Sequence, residues 1–318
     1  MAKLVSANLT GDKLCTLTYT TKDGKMLSFV EDLFDAKIIS HSYTDKAVVI
    51  FDRPISLFHW VDIPYFSDTD TIDYFLDYIR PLSCNSLTSV TIPNSVRDIG
   101  CEAFSGCSSL TSVTIPNSVR DIGNEAFRNC RSLTSVTIPD SITLIRGRTF
   151  NGCSSLTSIT IGNRVRDIGE GAFAGCSSLT SVTIPDSVTE IGQCAFYGCK
   201  SLTSVTIPNS VRDIGEVAFA GCSSLTSVTI PDSITLIRGR TFAGCKSLTS
   251  ITIPDSVTTI GGEAFAGCDS LKTIICKAEI PPKLGNSSFP KFDTLIVPEG
   301  CEEAYLNSDW SHFFEEEN

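Results

Sequence analysis

The sequence predicts an α/β-type solenoid of about eight to ten coils, with a parallel sheet on one face and capped ends. Three observations predict it. Leu87, Leu110, Leu133, Leu156, Leu179, Leu202, Leu225, Leu248 and Leu271 recur at a fixed spacing of 23 residues. Phe104, Phe127, Phe150, Phe173, Phe196, Phe219, Phe242 and Phe265 keep the same period, and a proline closes the same short run in most units. A unit this short cannot enclose its own apolar face, so neighbours stack into one continuous core, each coil touching only those beside it.

Residues 1–83 read as an N-terminal cap, because a repeat array needs atypical ends to keep core out of water. Leu17 to Phe29 carries Asp23-Gly24 between strand-like flanks, a hairpin signal. Lys46 to Phe51 reads as a further strand, and Asp68 to Ile79 as a short amphipathic helix or a degraded repeat. Met1 to Asp12 is mixed and short of apolar residues, so it reads as neither signal peptide nor transmembrane segment.

Residues 84–276 hold the repeats. In the run Leu-Thr-Ser-Val-Thr-Ile, Val90 and Ile92 alternate with Ser89 and Thr91, which predicts a short strand with hydroxyls outward. Pro93 ends the strand ladder because it lacks an N–H, and recurs as Pro116, Pro139, Pro185, Pro208, Pro231 and Pro254. Val96 to Ile99 alternates again and predicts a second strand on another side of the coil. The Phe column fills the interior. Gly106 recurs in each coil, with Asn129 as the one replacement, which marks a positive-φ position.

Two coils depart together. Ile142 to Phe150 returns as Ile234 to Phe242, four coils later, with Arg146 and Arg238 where the other coils have glycine. Gly147 and Gly239 follow one place on, which suggests that the tight backbone position has moved by one residue. Arg146, Arg148, Arg238 and Arg240 are either anion contacts or solvated partners of neighbouring carboxylates.

Residues 277–318 read as a shortened coil and a cap. Phe292, Leu295, Val297 and Pro298 copy the spacing of Leu87, Val90, Ile92 and Pro93, and Tyr305, Trp310, Phe313 and Phe314 form an aromatic lid before an acidic tail.

Composition narrows function. A net charge of −11 argues against a nucleic-acid partner, which needs a Lys/Arg excess, and no stretch is apolar enough for membrane insertion. Nine of the 14 cysteines form a column, Cys84, Cys107, Cys130, Cys153, Cys176, Cys199, Cys222, Cys245 and Cys268. Identically aimed side chains in parallel coils suit disulfide geometry poorly, so the column is expected to hold reduced, buried thiols. Cys15, Cys101, Cys194, Cys276 and Cys301 carry no pairing signal.

The sequence offers no catalytic, cofactor or metal site. His41, His59 and His312 all lie outside the array, and Ser288 to Lys291 matches a bare S-x-x-K without its companion motifs. Asp62, Asp68, Asp70, Asp73 and Asp77 crowd one stretch but lack the turn glycine and closing glutamate of a calcium loop. Asn8 and Asn286 head glycosylation sequons. The candidate ligand face is the outward side of the first strands. One column is Ser89, Ser112, Ser135, Ser158, Ser181, Ser204, Ser227 and Ser250; the other is Thr91, Thr114, Thr137, Thr160, Thr183, Thr206, Thr229 and Thr252. These columns are either ligand contacts or simply good β-formers on a solvated face.

The unit Leu-Thr-Ser-Val-Thr-Ile-Pro-Asn-Ser-Val-x-x-Ile-Gly-x-x-Ala-Phe-x-Gly-Cys-Ser-Ser resembles the repeat of the BspA-like leucine-rich repeat family, over residues 84–276. Leu17 to Lys25 and Val297 to Tyr305 are similar to the flanks of bacterial members. The resemblance implies a curved, right-handed leucine-rich repeat coil. It also implies a non-enzymatic binding or adhesion module for protein or glycan ligands, secreted or at the cell surface; the alternative is an intracellular protein-interaction scaffold.

Overall fold

A computed structural model of the chain describes residues 88–314 apart from Pro93 and Ser95, together with the backbone of four N-terminal strands. Those four are β1 (Lys3–Thr10), β2 (Lys13–Thr20), β3 (Ile38–Ser42) and β4 (Lys46–Ile55), an antiparallel sheet in the order β1-β2-β4-β3. The strand expected from Lys46 is therefore β4. β2 pairs with β1 and β4, while the expected turn at Asp23-Gly24 lies outside the described residues, as do Asp62 to Asp77, His59 and the acidic tail.

From β5 (Ser89–Thr91) onward, two kinds of strand alternate. The first side of each coil carries the Ser-Val-Thr strands: β5, β7 (Ser112–Thr114), β9 (Ser135–Thr137), β11 (Ser158–Thr160), β13 (Ser181–Thr183), β15 (Ser204–Thr206), β17 (Ser227–Thr229) and β19 (Ser250–Ile253). β21 (Thr273–Cys276) and β23 (Thr294–Ile296) continue that side. β23 is the shortened coil expected around Leu295, which pairs with Ile274.

The second side carries two-residue strands: β6 (Asp98–Ile99), β8 (Asp121–Ile122), β10 (Leu144–Ile145), β12 (Asp167–Ile168), β14 (Glu190–Ile191), β16 (Asp213–Ile214), β18 (Leu236–Ile237), β20 (Thr259–Ile260) and β22 (Lys283–Leu284). All pairings within these two stacks are parallel and in register, each residue facing its equivalent one coil away. Helix among the described residues is confined to the C-terminal cap: α1 (Glu302–Leu306) and a 3₁₀ turn at Ser311–Phe313.

A third side is built of turns, and it too is a ladder. Arg148, Phe150 and Gly152 donate their N–H groups to Glu170, Ala172 and Ala174 of the next coil at 2.7, 2.8 and 2.7 Å. The amides between them close tight turns instead, Asn151 onto Arg148 O and Cys153 onto Phe150 O. Alternation of this kind leaves few buried backbone groups unmet. It requires left-handed backbone at both ends of the tract. The Gly106 column supplies one end, and Asn129 takes it at φ 57°, as its spacing predicts. The other end is Glu102, Glu125, Arg148, Cys194, Val217, Arg240 and Glu263, all between 55° and 62°, with Gly171 the one glycine. No residue preference betrays that column in the sequence, because the strain is imposed by hydrogen bonds on both sides of it.

The core follows the apolar columns. In the coil from Cys176 to Gly198, nine side chains are buried: Cys176, Leu179, Val182, Ile184, Pro185, Val188, Ile191, Ala195 and Phe196. At roughly 1.5–3 kcal/mol each before entropy is subtracted, such a coil has ample reason to stack. The phenylalanines form one continuous offset stack from Phe104 to Phe265, with ring centroids 5.1–5.6 Å apart and planes within 16° of parallel. Phe289 extends it at 4.8 Å, and Trp310 and Tyr305, both fully buried, close the end. Their polar atoms are met: Trp310 Nε1 donates to Pro282 O at 2.9 Å and Tyr305 Oη to Ala278 O at 2.7 Å.

The cysteine column is more than apolar filling. Each thiol from Cys130 to Cys268 donates to a phenylalanine carbonyl of the preceding coil, as Cys153 does to Phe127 O at 3.1 Å and Cys199 to Phe173 O at 3.3 Å. These cysteines are free, with burial pushing the Cys176 and Cys199 thiols well up and Cys222 to about 12. Cys107 corrects the expectation at one position: it is disulfide-bonded, to a partner outside the described residues.

Candidate ligand-binding face

The first-side sheet brings the expected hydroxyl columns together. Ser135 faces Ser158 and Thr137 faces Thr160; Ser181, Ser204 and Ser227 align, as do Thr183, Thr206 and Thr229. Ser89 faces Ser112 and Thr91 faces Thr114, though the Thr91 side chain lies outside the described residues. Ser112 to Ser250 and Thr114 to Thr229 are exposed, and Thr252 is half-buried. Between them Val113, Val136, Ile159, Val182, Val205 and Ile251 turn inward, the alternation that strand pleating dictates.

Among the described residues, none of these outward hydroxyls has a hydrogen-bond partner in the chain. The neighbouring threonines differ. Thr111, Thr134, Thr157, Thr180, Thr203 and Thr226 donate their Oγ1 to the threonine carbonyl one coil back, at 2.8–3.3 Å. From Thr111 to Thr226 each coil thus carries one threonine committed to the scaffold and a Ser/Thr pair left to solvent. The sequence cannot separate the two, because only the register shows which hydroxyl sits over a carbonyl.

The four arginines of the two departing coils pair internally. Arg146 Nε lies 2.8 Å from Asp121 Oδ1, and Arg238 makes two bonds to Asp213 at 2.9 and 3.0 Å. Arg148 pairs with Glu170 at 2.8 Å, and Arg240 with Glu263 at 2.9 and 3.0 Å, holding that carboxyl below the usual carboxylate range. The four arginines are therefore partners of neighbouring carboxylates rather than open anion contacts. Gly147 and Gly239 are not the displaced tight positions: a Cβ at Gly147 would come no closer than 3.4 Å to Asn124, and at Gly239 no closer than 3.3 Å to Gly262. The tight column stays in place at Gly169 and Gly192, where a Cβ would meet the preceding coil's backbone at 2.7 and 2.8 Å.

Arg146 and Arg238 hold the tight column with a side chain, and the second-side sheet is split in front of both, between β8 and β10 and between β16 and β18. In the intact coils an Ile-to-Gly ladder bond recurs, as from Gly169 N–H to Ile145 O at 2.7 Å; among the described residues Arg146 and Arg238 make no such bond. Thr149 and Thr241, buried where other coils have alanine, donate to the Arg146 and Arg238 carbonyls at 2.8 Å.

Ser288 and His312 are each held in a local turn. Ser288 donates to Gly285 O at 2.7 Å, which occupies its hydroxyl in the turn. His312 Nδ1 lies 2.6 Å from Asp309 O, beside Phe313. Among the described residues no three His, Cys, Asp or Glu side chains gather as metal ligands, and no helix is long and apolar enough to cross a membrane.

Parallel coils of two strands and a turn ladder around a leucine, cysteine and phenylalanine core, with an open outer sheet, define a repeat-solenoid scaffold of the leucine-rich type. The chain belongs to the BspA type leucine rich repeat family, whose repeat region matches residues 82–202 and 166–296 in six copies. It is similar to a leucine-rich repeat protein from Bacteroides ovatus, at 28% identity over 77% of this chain and 76% of that one, with a TM-score of 0.60. It is also similar to the Treponema pallidum leucine rich repeat protein, at 35% identity over 54% of this chain and 81% of that one, with a TM-score of 0.49. No curated protein matches it in sequence.

Proposed function

We propose that this chain is a non-enzymatic recognition module that binds a repetitive protein or glycan ligand through the outward Ser/Thr columns of the first side. The observation that supports this most is the contrast between sides: the first side leaves paired hydroxyl columns without internal partners, while the special arginines of the second are spent on neighbouring carboxylates. The face lacks Trp, Tyr and Arg anchors of the kind that dominate tight interfaces, so each coil contributes weakly. Identical coils in series add avidity without strong single contacts. The family resemblance favours display outside the cell, in adhesion.

An array of glycans and extracellular-matrix proteins, probed with the intact chain and with a Thr160→Glu/Thr183→Glu variant, tests this reading. Both threonines are exposed, so the fold should persist by circular dichroism while binding falls. A wild-type chain that captures nothing, or binding indifferent to the two glutamates, would sink it.

A further inference from the structure

The first-side sheet is not continuous. It separates between β11 and β13, where Thr180 keeps its N–H and Oγ1 bonds to Thr157 O, and again between β17 and β19, where a cleft of about 420 Å³ opens at the seam. Three details show that the seam is local. In the coils before it, Thr203 and Thr226 donate both N–H and Oγ1 to the threonine carbonyl one coil back. Among the described residues, Thr249 makes neither bond to Thr226. Val228 is only half-buried, while its column neighbours Val205 and Ile251 are 3% and 2% exposed.

The residue that distinguishes the far side is Lys277. It stands 23 residues after Pro254, in the column that elsewhere holds proline, and so regains an N–H. That N–H donates to Ile253 O at 2.9 Å and lengthens the β19–β21 ladder to four residue pairs. β19 is thereby drawn into the C-terminal sheet rather than toward β17.

The cleft is mixed in character. Val228, Ile230 and the buried Pro231 and Pro254 give it an apolar base. Thr229 and Thr252, members of the two facing coils, supply hydroxyls, and the exposed Asn209, Asp232 and Lys277 add an amide, a carboxylate and an ammonium. Asp232 and Lys277 form no ion pair among the described residues, so both remain available to a ligand. One charge of each sign gives no net pull on an anion or a cation. It suits a neutral ligand with closely spaced hydroxyls, since a carboxylate accepts two adjacent O–H groups and an ammonium donates to ring oxygens. The volume falls in the range of small-ligand sites, and the lining is more polar than most of them, as a hydroxyl-rich ligand requires.

We propose that the seam between β17 and β19 is a subsite for one neutral pyranose ring, its C–H face on the Val228–Pro231–Pro254 base and its hydroxyls on Asp232, Lys277, Thr229 and Thr252. This deepens the reading of the first side as a recognition surface and rests on it, placing one sugar-specific position in an otherwise uniform hydroxyl face.

Saturation-transfer NMR of the full chain with the methyl pyranosides of glucose, galactose, mannose and N-acetylglucosamine tests the subsite. Saturable millimolar binding of at least one is expected. Asp232→Asn, a residue already present in that column at Asn117 and Asn209, should weaken it roughly tenfold or more, and Lys277→Gln should weaken it as well. Arg120→Ala, exposed on the second side and outside the hydroxyl face, should leave it unchanged. Absence of saturable binding by all four sugars, or binding unaltered in the Asp232→Asn/Lys277→Gln double variant, overturns the subsite. If array capture still depends on Thr160 and Thr183 in that event, the broader reading stands without the subsite; sugar binding with no array capture leaves the reverse.

Discussion

Arg146 reaches back one coil to place its Nε 2.8 Å from Asp121 Oδ1, across the seam at which β8 and β10 fail to pair. The side chain that prevents the glycine-type close approach also supplies the bond that spans the opened gap. Arg238 and Asp213 repeat the arrangement four coils on, with a second seam between β16 and β18. Both partners are about 40% exposed, so solvent screening limits the pair to less than about 1 kcal/mol. Asp121→Asn should therefore lower the urea midpoint only slightly. Arg146→Gly with Thr149→Ala, which restores the pattern of the intact coils, should raise it. A midpoint unchanged or lowered in the double variant would mean that the seam is not a defect in stability.

Glycine substitutions should separate the tight column from the roomy one. Gly169→Ala drives a Cβ to 2.7 Å from Ile145 O and should cost about 1–3 kcal/mol in thermal or urea unfolding. Gly147→Ala meets only ordinary contacts and should stay within about 0.5 kcal/mol of wild type. Equal effects at the two sites would contradict the assignment.

Val217 sits at φ 62°, a branched side chain in left-handed backbone. Such a conformation costs an L residue roughly 1–2 kcal/mol. Val217→Asn should raise the melting temperature, and Val217→Gly should raise it less, because glycine has more unfolded-chain entropy to lose. The rest of the Glu102 column is available for the same comparison.

Phe196 stacks on Phe173 at 5.3 Å and Phe219 at 5.2 Å. Phe196→Ala removes a fully buried ring from the middle of that stack and should cost about 3–5 kcal/mol. Chemical denaturation followed by circular dichroism measures it; a loss below 1 kcal/mol on the same scale would show that the flanking rings close the gap.

The thiol column should be inert in the folded chain. Iodoacetamide at neutral pH is expected to modify Cys101 and to leave Cys153, Cys176 and Cys199 unmodified until denaturant is added, as peptide mass mapping can check. Burial raises the folded Cys222 thiol from its ordinary 9.0 to about 12. A group held protonated by folding contributes stability that is intact below the lower value and is lost as pH climbs through the upper one. Melting temperature should accordingly fall between about pH 9 and 12, and Cys222→Ala should reduce that slope.

The period alone located the leucine, cysteine and phenylalanine columns, the two strands of each coil and the Gly106 turn, because stacking turns a sequence repeat directly into a column. The hydroxyl columns were legible for the same reason. Hidden from it were the scaffold bond made by Thr134 but not by its neighbour Ser135, the thiol donors, and the strained Glu102 column. These depend on which carbonyl lies one coil away, and no single unit contains that information. The disulfide at Cys107 ran against the columnar expectation of reduced thiols.

The 23-residue spacing determined that the chain is a stacked solenoid of two-stranded coils, since apolar faces at a fixed interval have no other way to leave water. Tertiary structure alone decided where that stack opens. The seams at Arg146, Arg238 and Lys277 arise because backbone contact between adjacent coils is set at close quarters, where one Cβ too many or one N–H regained shifts a strand from one neighbour toward another.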